Sequence, residues 1–200
     1  MSKVTALLLT LVLSFPACGM ARKTENSVQA LQYQDQTFCT VFSINEAEGL
    51  WASAAHCAES AITKESTILG KPAYVIFMGY PSADIAVFQS EARVPAMKLS
   101  EASPKVGDDV VIVGYPYGIT RTRTKGTVGA RQVAFIHPTT AYAMLSDILD
   151  ITVAGGNSGS PVLNKDGEVV GLLWGAFGES SHAISVSYEG TIRALLPFVE

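Results

Sequence analysis

The chain has 200 residues, 48% of them hydrophobic and 16% charged, with a formal net charge of −4. That balance excludes a disordered chain and supports one domain or two small subdomains sharing an interface. The mild charge, the lack of a long basic run and three scattered histidines without zinc-type Cys/His spacing exclude nucleic acid and anionic lipid as evident partners, and no metal or other cofactor is expected.

Lys3, an apolar run from Val4 to Phe15 and then small residues have the layout of a secretory signal, with a run too short to cross a bilayer. Two processing routes compete: cleavage after Ala21, giving a signal over residues 1–21, or lipoprotein processing before Cys18, since Phe15-Pro16-Ala17-Cys18 partly resembles a lipobox. Either route exports the body of the protein to the periplasm or beyond, and a lipid on Cys18 is the only membrane link expected. In an oxidising compartment Cys39 and Cys57 form a disulfide by default, two buried thiols being the alternative.

Residues 22–36 are polar and lack clear periodicity, so they read as a tether and the entry to the fold. A first β unit follows over residues 37–98. Strands are expected at Thr37–Ile44 and Leu50–Ser53 around the turn Asn45–Gly49, then a helical turn at Ala54–Glu59, then strands at Ala73–Met78 and Asp84–Gln89 around Gly79-Tyr80-Pro81-Ser82. Pro95–Pro104 is a connector. The second unit, residues 99–200, has strand-like runs at Asp109–Tyr115, Thr122–Val128 and Arg131–Ile136. Tyr142–Ile151 fits helix or strand by periodicity, and its context favours strand. A hairpin turns at Asn164–Gly167, His182–Ser187 is one more strand, and Ile192, Leu195, Leu196 and Val199 have the spacing of a closing helix. Many short strands with regular turns indicate an all-β barrel or sandwich.

Ala154 to Pro161 packs small residues around the hydroxyl of Ser158, a composition suited to close backbone approach. A serine becomes an effective nucleophile only with a general base and a group that orients the base. His56 and Asp84 lie upstream, giving the order His, Asp, Ser. In that order His56 takes and returns the proton of Ser158, Asp84 holds the imidazole, and the N–H groups of Gly156 and Ser158 receive an oxyanion. A G-x-S-x-G elbow of the α/β-hydrolase kind is disfavoured, because Ser160 breaks the pattern and only His182 follows the serine.

Ser53-Ala54-Ala55-His56-Cys57, Asp84-Ile85-Ala86-Val87 and Gly156-Asn157-Ser158-Gly159-Ser160-Pro161 resemble the three signature blocks of chymotrypsin-like serine proteases of bacterial type. Val106–Gly118 and Asn164–Gly171 are similar to HtrA-type proteases, and Gly171-Leu172-Leu173-Trp174-Gly175 is closer to glutamyl endopeptidases. The resemblance runs from Thr37 to Val199. It implies two six-stranded antiparallel β-barrels with a short C-terminal helix, catalytic groups in the cleft between them, a Cys39–Cys57 disulfide and a protein or peptide substrate. Trypsin-like zymogens carry an Asp where this chain has Asn157, so the oxyanion hole is expected to form without propeptide cleavage.

By the same resemblance Thr152 and Val153 form the base and wall of the specificity pocket, with Leu173, Trp174 and Gly175 opposite. No Asp stands at Thr152, and the His and Thr that glutamyl endopeptidases use are replaced by Leu173 and Val153. Burying a lone charge there is prohibitive, so small or medium apolar residues are the expected P1 groups. Core packing is the alternative role for Leu173 and Val153. Arg121, Arg123, Lys125 and Arg131 read as the solvated edge of a hairpin, and His137 and His182 have no assigned role. The leading function is an exported serine endopeptidase. A catalytically silent protease-fold binding protein and an esterase with the same triad are the rivals.

Overall fold

The computed structural model describes residues 25–62, 65–136, 143–177 and 182–199, and among them short β-branched and aromatic runs separated by Gly, Pro and Asn turns fold into twelve strands, with two α-helices that lie wholly within the described residues. The stretch expected to be an export signal, Cys18 and His137 lie outside the described residues. Strands β1 (Val28–Tyr33), β2 (Gln36–Asn45), β3 (Leu50–Ser53), β4 (Thr67–Ile68), β5 (Lys71–Met78) and β6 (Ala86–Ser90) close a barrel in the order β1-β2-β3-β6-β5-β4. Strands β7 (Asp109–Gly114), β8 (Thr122–Ile136), β9 (Ala143–Asp150), β10 (Pro161–Leu163), β11 (Val169–Ala176) and β12 (His182–Val186) close a second, ordered β10-β11-β12-β9-β8-β7. Helix α1 (Ala55–Ile62) follows β3, and α2 (Tyr188–Leu195) follows β12 and runs into a short 3₁₀ turn, Leu196–Phe198. The expected pair of six-stranded antiparallel barrels is therefore present.

Several strands are apolar on both faces because both faces are covered. In β7, Val110 and Ile112 join one core cluster with Val128, Leu149 and Val162, while Val111 and Val113 join the larger cluster that also holds Trp51, Phe42 and Phe88 of the first barrel. Successive side chains of a strand point to opposite faces, so a run such as Val110–Val113 serves two cores at once. Continuous apolar sequence replaces alternation wherever the two barrels share a boundary.

Three sequence expectations change here. The stretch 22–36 is not merely a tether: β1 pairs antiparallel with β2 and meets β4 at Leu31–Ile68. Its buried side chains are Val28 and Leu31, three residues apart, so the two-residue alternation of a strand is hidden among polar neighbours. Thr122–Val128 and Arg131–Ile136 are one fifteen-residue strand, because the break between them is absorbed by register shifts around Ala130 instead of a turn. The basic residues consequently do not lie on a hairpin edge, since β8 is paired with β7 and β9. Arg131 binds Glu189 of α2 at 2.9 Å and lies 3.6 Å from the buried Asp147, and Arg121 donates to the Val28 carbonyl at 3.2 Å. These two arginines tie elements together. Strand β4 has only two residues, too few to leave a periodic signal, yet it closes the first barrel.

The Cys39–Cys57 disulfide joins β2 to α1 across 18 residues of sequence. Closing a loop of that size stabilises a fold by about 3 kcal/mol, chiefly by restricting the unfolded chain. The Cys39→Ala/Cys57→Ala double variant should therefore unfold at lower urea concentration by an amount equivalent to about 3 kcal/mol. Equal midpoints for the two proteins would show that the bridge adds no stability.

Candidate active site

His56 is placed by the hairpin β2–β3, which ends in the buried Ser53 and Ala54 before the chain turns into α1. The first turn closes when Cys57 and Ala58 N–H groups donate to the Ala54 carbonyl at 3.2 and 3.3 Å, which fixes the imidazole at the barrel rim. Asp84 comes from the β5–β6 connection. It sits in a bend two residues ahead of β6 rather than on the strand itself, because Gly79 takes the ladder position by donating to Ile85 at 2.7 Å. Ser82 and Ala83 N–H groups donate back to the Gly79 carbonyl at 3.0 and 3.1 Å, folding the bend inward.

The Asp84 carboxyl is 0% exposed, an arrangement a charge tolerates only with hydrogen-bond partners. His56 supplies two: its Nδ1–H donates to Oδ2 at 2.7 Å and its backbone N–H donates to Oδ1 at 2.9 Å. Bonds from ring and main chain of one residue set both the position and the rotation of the imidazole. Because Nδ1 is engaged, Nε2 is the nitrogen left for proton exchange. Tyr80 supplies another bond, its hydroxyl donating to Oδ1 at 3.1 Å. Burial first, and the Asp84 carboxyl second, push the Tyr80 phenol far above its ordinary range, so it remains a donor at any physiological pH. Sequence reasoning missed Tyr80 because Gly79–Ser82 presents as turn chemistry alone.

Ser158 lies in the tight segment between β9 and β10. Asn157 N–H donates to Ala154 at 3.1 Å and Ser160 N–H to Asn157 at 2.9 Å, while Gly159 and Leu173 pair the segment to β11 at 2.8 and 2.9 Å. Gly156 (φ 91°) and Gly159 (φ 85°) occupy left-handed backbone conformations. A Cβ on Gly156 would collide with the Tyr115 carbonyl, and one on Gly159 with Thr40 and Ser53 of the first barrel.

The segments bearing serine and histidine meet through the disulfide region. Thr40 N–H donates to the Ser158 carbonyl at 2.8 Å, and the sulfur of Cys57, adjacent to His56, lies 3.9 Å from the same oxygen. The contact between the two segments is thus made by the serine backbone, and among the described residues Ser158 Oγ makes no hydrogen bond to the imidazole. Such bonds commonly tighten only when substrate is bound.

Two carbonyls determine where the adjacent N–H groups point. The Gly155 carbonyl accepts from Tyr117 N–H at 2.6 Å and the Asn157 carbonyl accepts from Ser160 N–H. In a trans peptide the N–H lies opposite the carbonyl, so the N–H groups of Gly156 and Ser158 face away from those donors. Neither has a hydrogen-bond partner among the described residues. Asn157, 4% exposed, puts a neutral amide where a carboxylate would require an ion-pair partner.

Beside Ser158 a recess of about 190 Å³ is lined by Val153, Ala154, Gly155, Leu173, Gly175 and Ala176. Among the described residues no charged side chain lines it. Of the residues that the resemblance gives to a specificity pocket, Val153, Leu173 and Gly175 line this recess and Thr152 and Trp174 do not. Thr152 is exposed beyond the buried Ile151. Trp174 lies between Leu173 and Gly175 on β11 and so projects to the opposite face, where its Nε1–H donates to Ser146 at 3.1 Å and its ring meets the edge of Phe135. A larger recess of about 660 Å³, near Tyr74 on β5, contains none of these residues. Ligand atoms of Cys39, His56 and Cys57 fall within 4.8 Å of one another, but both sulfurs are bonded to each other and His56 Nδ1 is bound to Asp84, a donor set unsuited to a resident metal.

Residues 39–172 match the family described as trypsin-like peptidase domain. The chain is 34% identical over 110 residues to a probable periplasmic serine endoprotease DegP-like of Pseudomonas fulva (strain 12-X), covering 54% of this chain and 22% of that protein. A protein of the same description from Hahella chejuensis (strain KCTC 2396) is 35% identical over 108 residues, covering 53% and 22%. Among solved structures, the Rv3671c protease of M. tuberculosis in its active form superimposes with a TM-score of 0.77 at 21% identity, over 98% of this chain and 93% of that one. Deg5 superimposes with a TM-score of 0.68 at 18% identity, over 88% and 90%. At these identities the structural likeness speaks for the fold, and the family match rests on the segment from the disulfide to the last strands: the chain belongs to the trypsin-like peptidase domain family.

Proposed function

We propose that the protein is an exported, periplasmic serine endopeptidase in which His56, Asp84 and Ser158 act as base, orienting acid and nucleophile. The observation that carries this reading is the double hold of buried Asp84 on His56, which leaves Nε2 as the ring nitrogen for proton exchange. Ser158 Oγ attacks the scissile carbonyl carbon as His56 Nε2 takes its proton. The negative oxygen that forms is received by the N–H groups of Gly156 and Ser158, and the imidazolium next to Asp84 then returns the proton to the departing amine. Water repeats the sequence on the acyl-enzyme. The names of the DegP-like relatives agree in reaction and compartment with this reading.

The apolar recess beside Ser158 supports cleavage after small or medium apolar residues, since a charged side chain would lose its hydration there with nothing in exchange. Asn157 supports an enzyme that needs no newly cut N-terminus, because no buried carboxylate at that position awaits one. A lipid on Cys18 is the competing form of the mature N-terminus, and mass spectrometry of the protein recovered from membrane and soluble fractions distinguishes it from cleavage after Ala21.

Three outcomes are expected. A fluorophosphonate should label the intact, un-nicked protein at Ser158, and Ser158→Ala should abolish labelling and reduce peptide turnover by at least about 10⁴-fold; an unlabelled wild type would leave a binding protein as the better account. Tyr80→Phe should reduce kcat/KM about tenfold, the equivalent of about 1.4 kcal/mol for one bond to a charged group; unchanged kinetics would deny Tyr80 a part in holding Asp84. A peptide library varied at P1 should favour Ala, Val or Leu, and a preference for Glu, Arg or Lys would refute the assignment of the recess.

A further inference from the structure

Thr40 uses every polar group it has at the junction of the two barrels. Its side chain and backbone are 0% exposed. Its N–H donates to the Ser158 carbonyl at 2.8 Å, and its carbonyl accepts the Ser53 hydroxyl at 2.7 Å. Its own hydroxyl donates to the Gly156 carbonyl at 2.8 Å and accepts the Tyr115 N–H at 3.1 Å. A hydroxyl offers one proton and limited acceptor capacity, and both are engaged here. A strand would accept Val in this place equally well, so strand formation does not account for the hydroxyl.

The two partners of that hydroxyl flank the groups that receive the oxyanion. Gly156 carries one of the two N–H donors, and its carbonyl is held by Thr40. Tyr115 begins the turn whose Tyr117 N–H holds the Gly155 carbonyl at 2.6 Å and so turns the Gly156 N–H away from that turn. Tyr117 itself is at φ 55°, a left-handed conformation that a residue other than Gly keeps only when its surroundings fix it. Thr40 is a first-barrel residue that touches both this turn and the segment bearing Ser158.

We infer that the Thr40 hydroxyl is a positioning group for the oxyanion-binding amides, holding Gly156 and the Tyr115–Tyr117 turn in register from the opposite barrel. This rests on the serine endopeptidase reading. The hydroxyl touches no reacting atom. It acts by fixing peptide planes, which matters more as charge develops on the substrate oxygen than when substrate first binds.

The experiment compares wild type, Thr40→Val and Thr40→Ser on the best substrate of the P1 library, with a peptide boronate carrying the same P1 residue as the mimic of the charged tetrahedral species. Val keeps the shape and removes the hydroxyl; Ser keeps the hydroxyl. Thr40→Val should lower kcat about 10- to 100-fold with KM within about twofold, and should weaken boronate binding by a factor similar to its loss in kcat/KM. Thr40→Ser should recover most of both. A Val variant with wild-type kcat, a loss confined to KM, or a Ser variant as impaired as Val would overturn the proposal. Thermal unfolding of each variant accompanies the kinetics: if Val does not fold, Thr40→Ala is measured in its place, and if neither folds a purely structural role explains the contacts and the proposal fails. Wild type that a fluorophosphonate does not label overturns the endopeptidase reading and this proposal together, whereas labelled wild type beside a fully active Val variant overturns the proposal alone.

Discussion

A carboxylate removed from water is the constraint around which this molecule is arranged. Asp84 is wholly enclosed, and the groups that make its enclosure tolerable, the ring and main chain of His56 and the phenol of Tyr80, are also those that decide which way the imidazole faces. Stability and function are coupled at that point. The inward bend of residues 79–85 exists to bring Asp84 under the rim, and it is closed by main-chain bonds to Gly79 that leave the carboxyl oxygens free for His56 and Tyr80. The first barrel thus holds an imidazole whose orientation is set by Asp84 from two sides of one residue.

The second barrel contributes Ser158 and the amides around it on a segment whose geometry is mostly main chain. Its bonds run to β11 on one side and to Thr40 on the other, so the segment belongs to neither barrel alone. The disulfide lies beneath this meeting point: Cys39 precedes Thr40 and Cys57 follows His56. Stiffness of the base and stiffness of the amides therefore share one covalent anchor.

Much of this was readable from the residues. His56, Asp84 and Ser158 stood out because their chemistry is sparse and their neighbours distinctive, and the strands from Thr37 onward announced themselves through β-branched runs and turn residues. What escaped the reading did so for physical reasons. β1 buries only Val28 and Leu31 among polar neighbours, β4 is two residues long, and the bulges around Ala130 imitate a turn. The family resemblance puts Trp174 and Thr152 beside the serine, but the alternation of β11 sends Trp174 to the opposite face and Thr152 is exposed. Thr40 and Tyr80 look like an ordinary strand residue and an ordinary turn residue, because a side chain that acts by holding another group leaves no motif of its own.

The hydroxyl of Thr40 spans 116 positions of sequence to reach Gly156. Exchange of one barrel for that of a homologue would transfer His56 and Asp84 intact as a module, and the recess would stay behind with its own barrel. The boundary between the halves is nonetheless a poor place to cut, because a graft that preserved both modules could still mismatch the small polar clasp that straddles the seam. Recombination among such proteins should be tolerated where loops are swapped and penalised where Thr40 is separated from the turn and glycine it was fitted to.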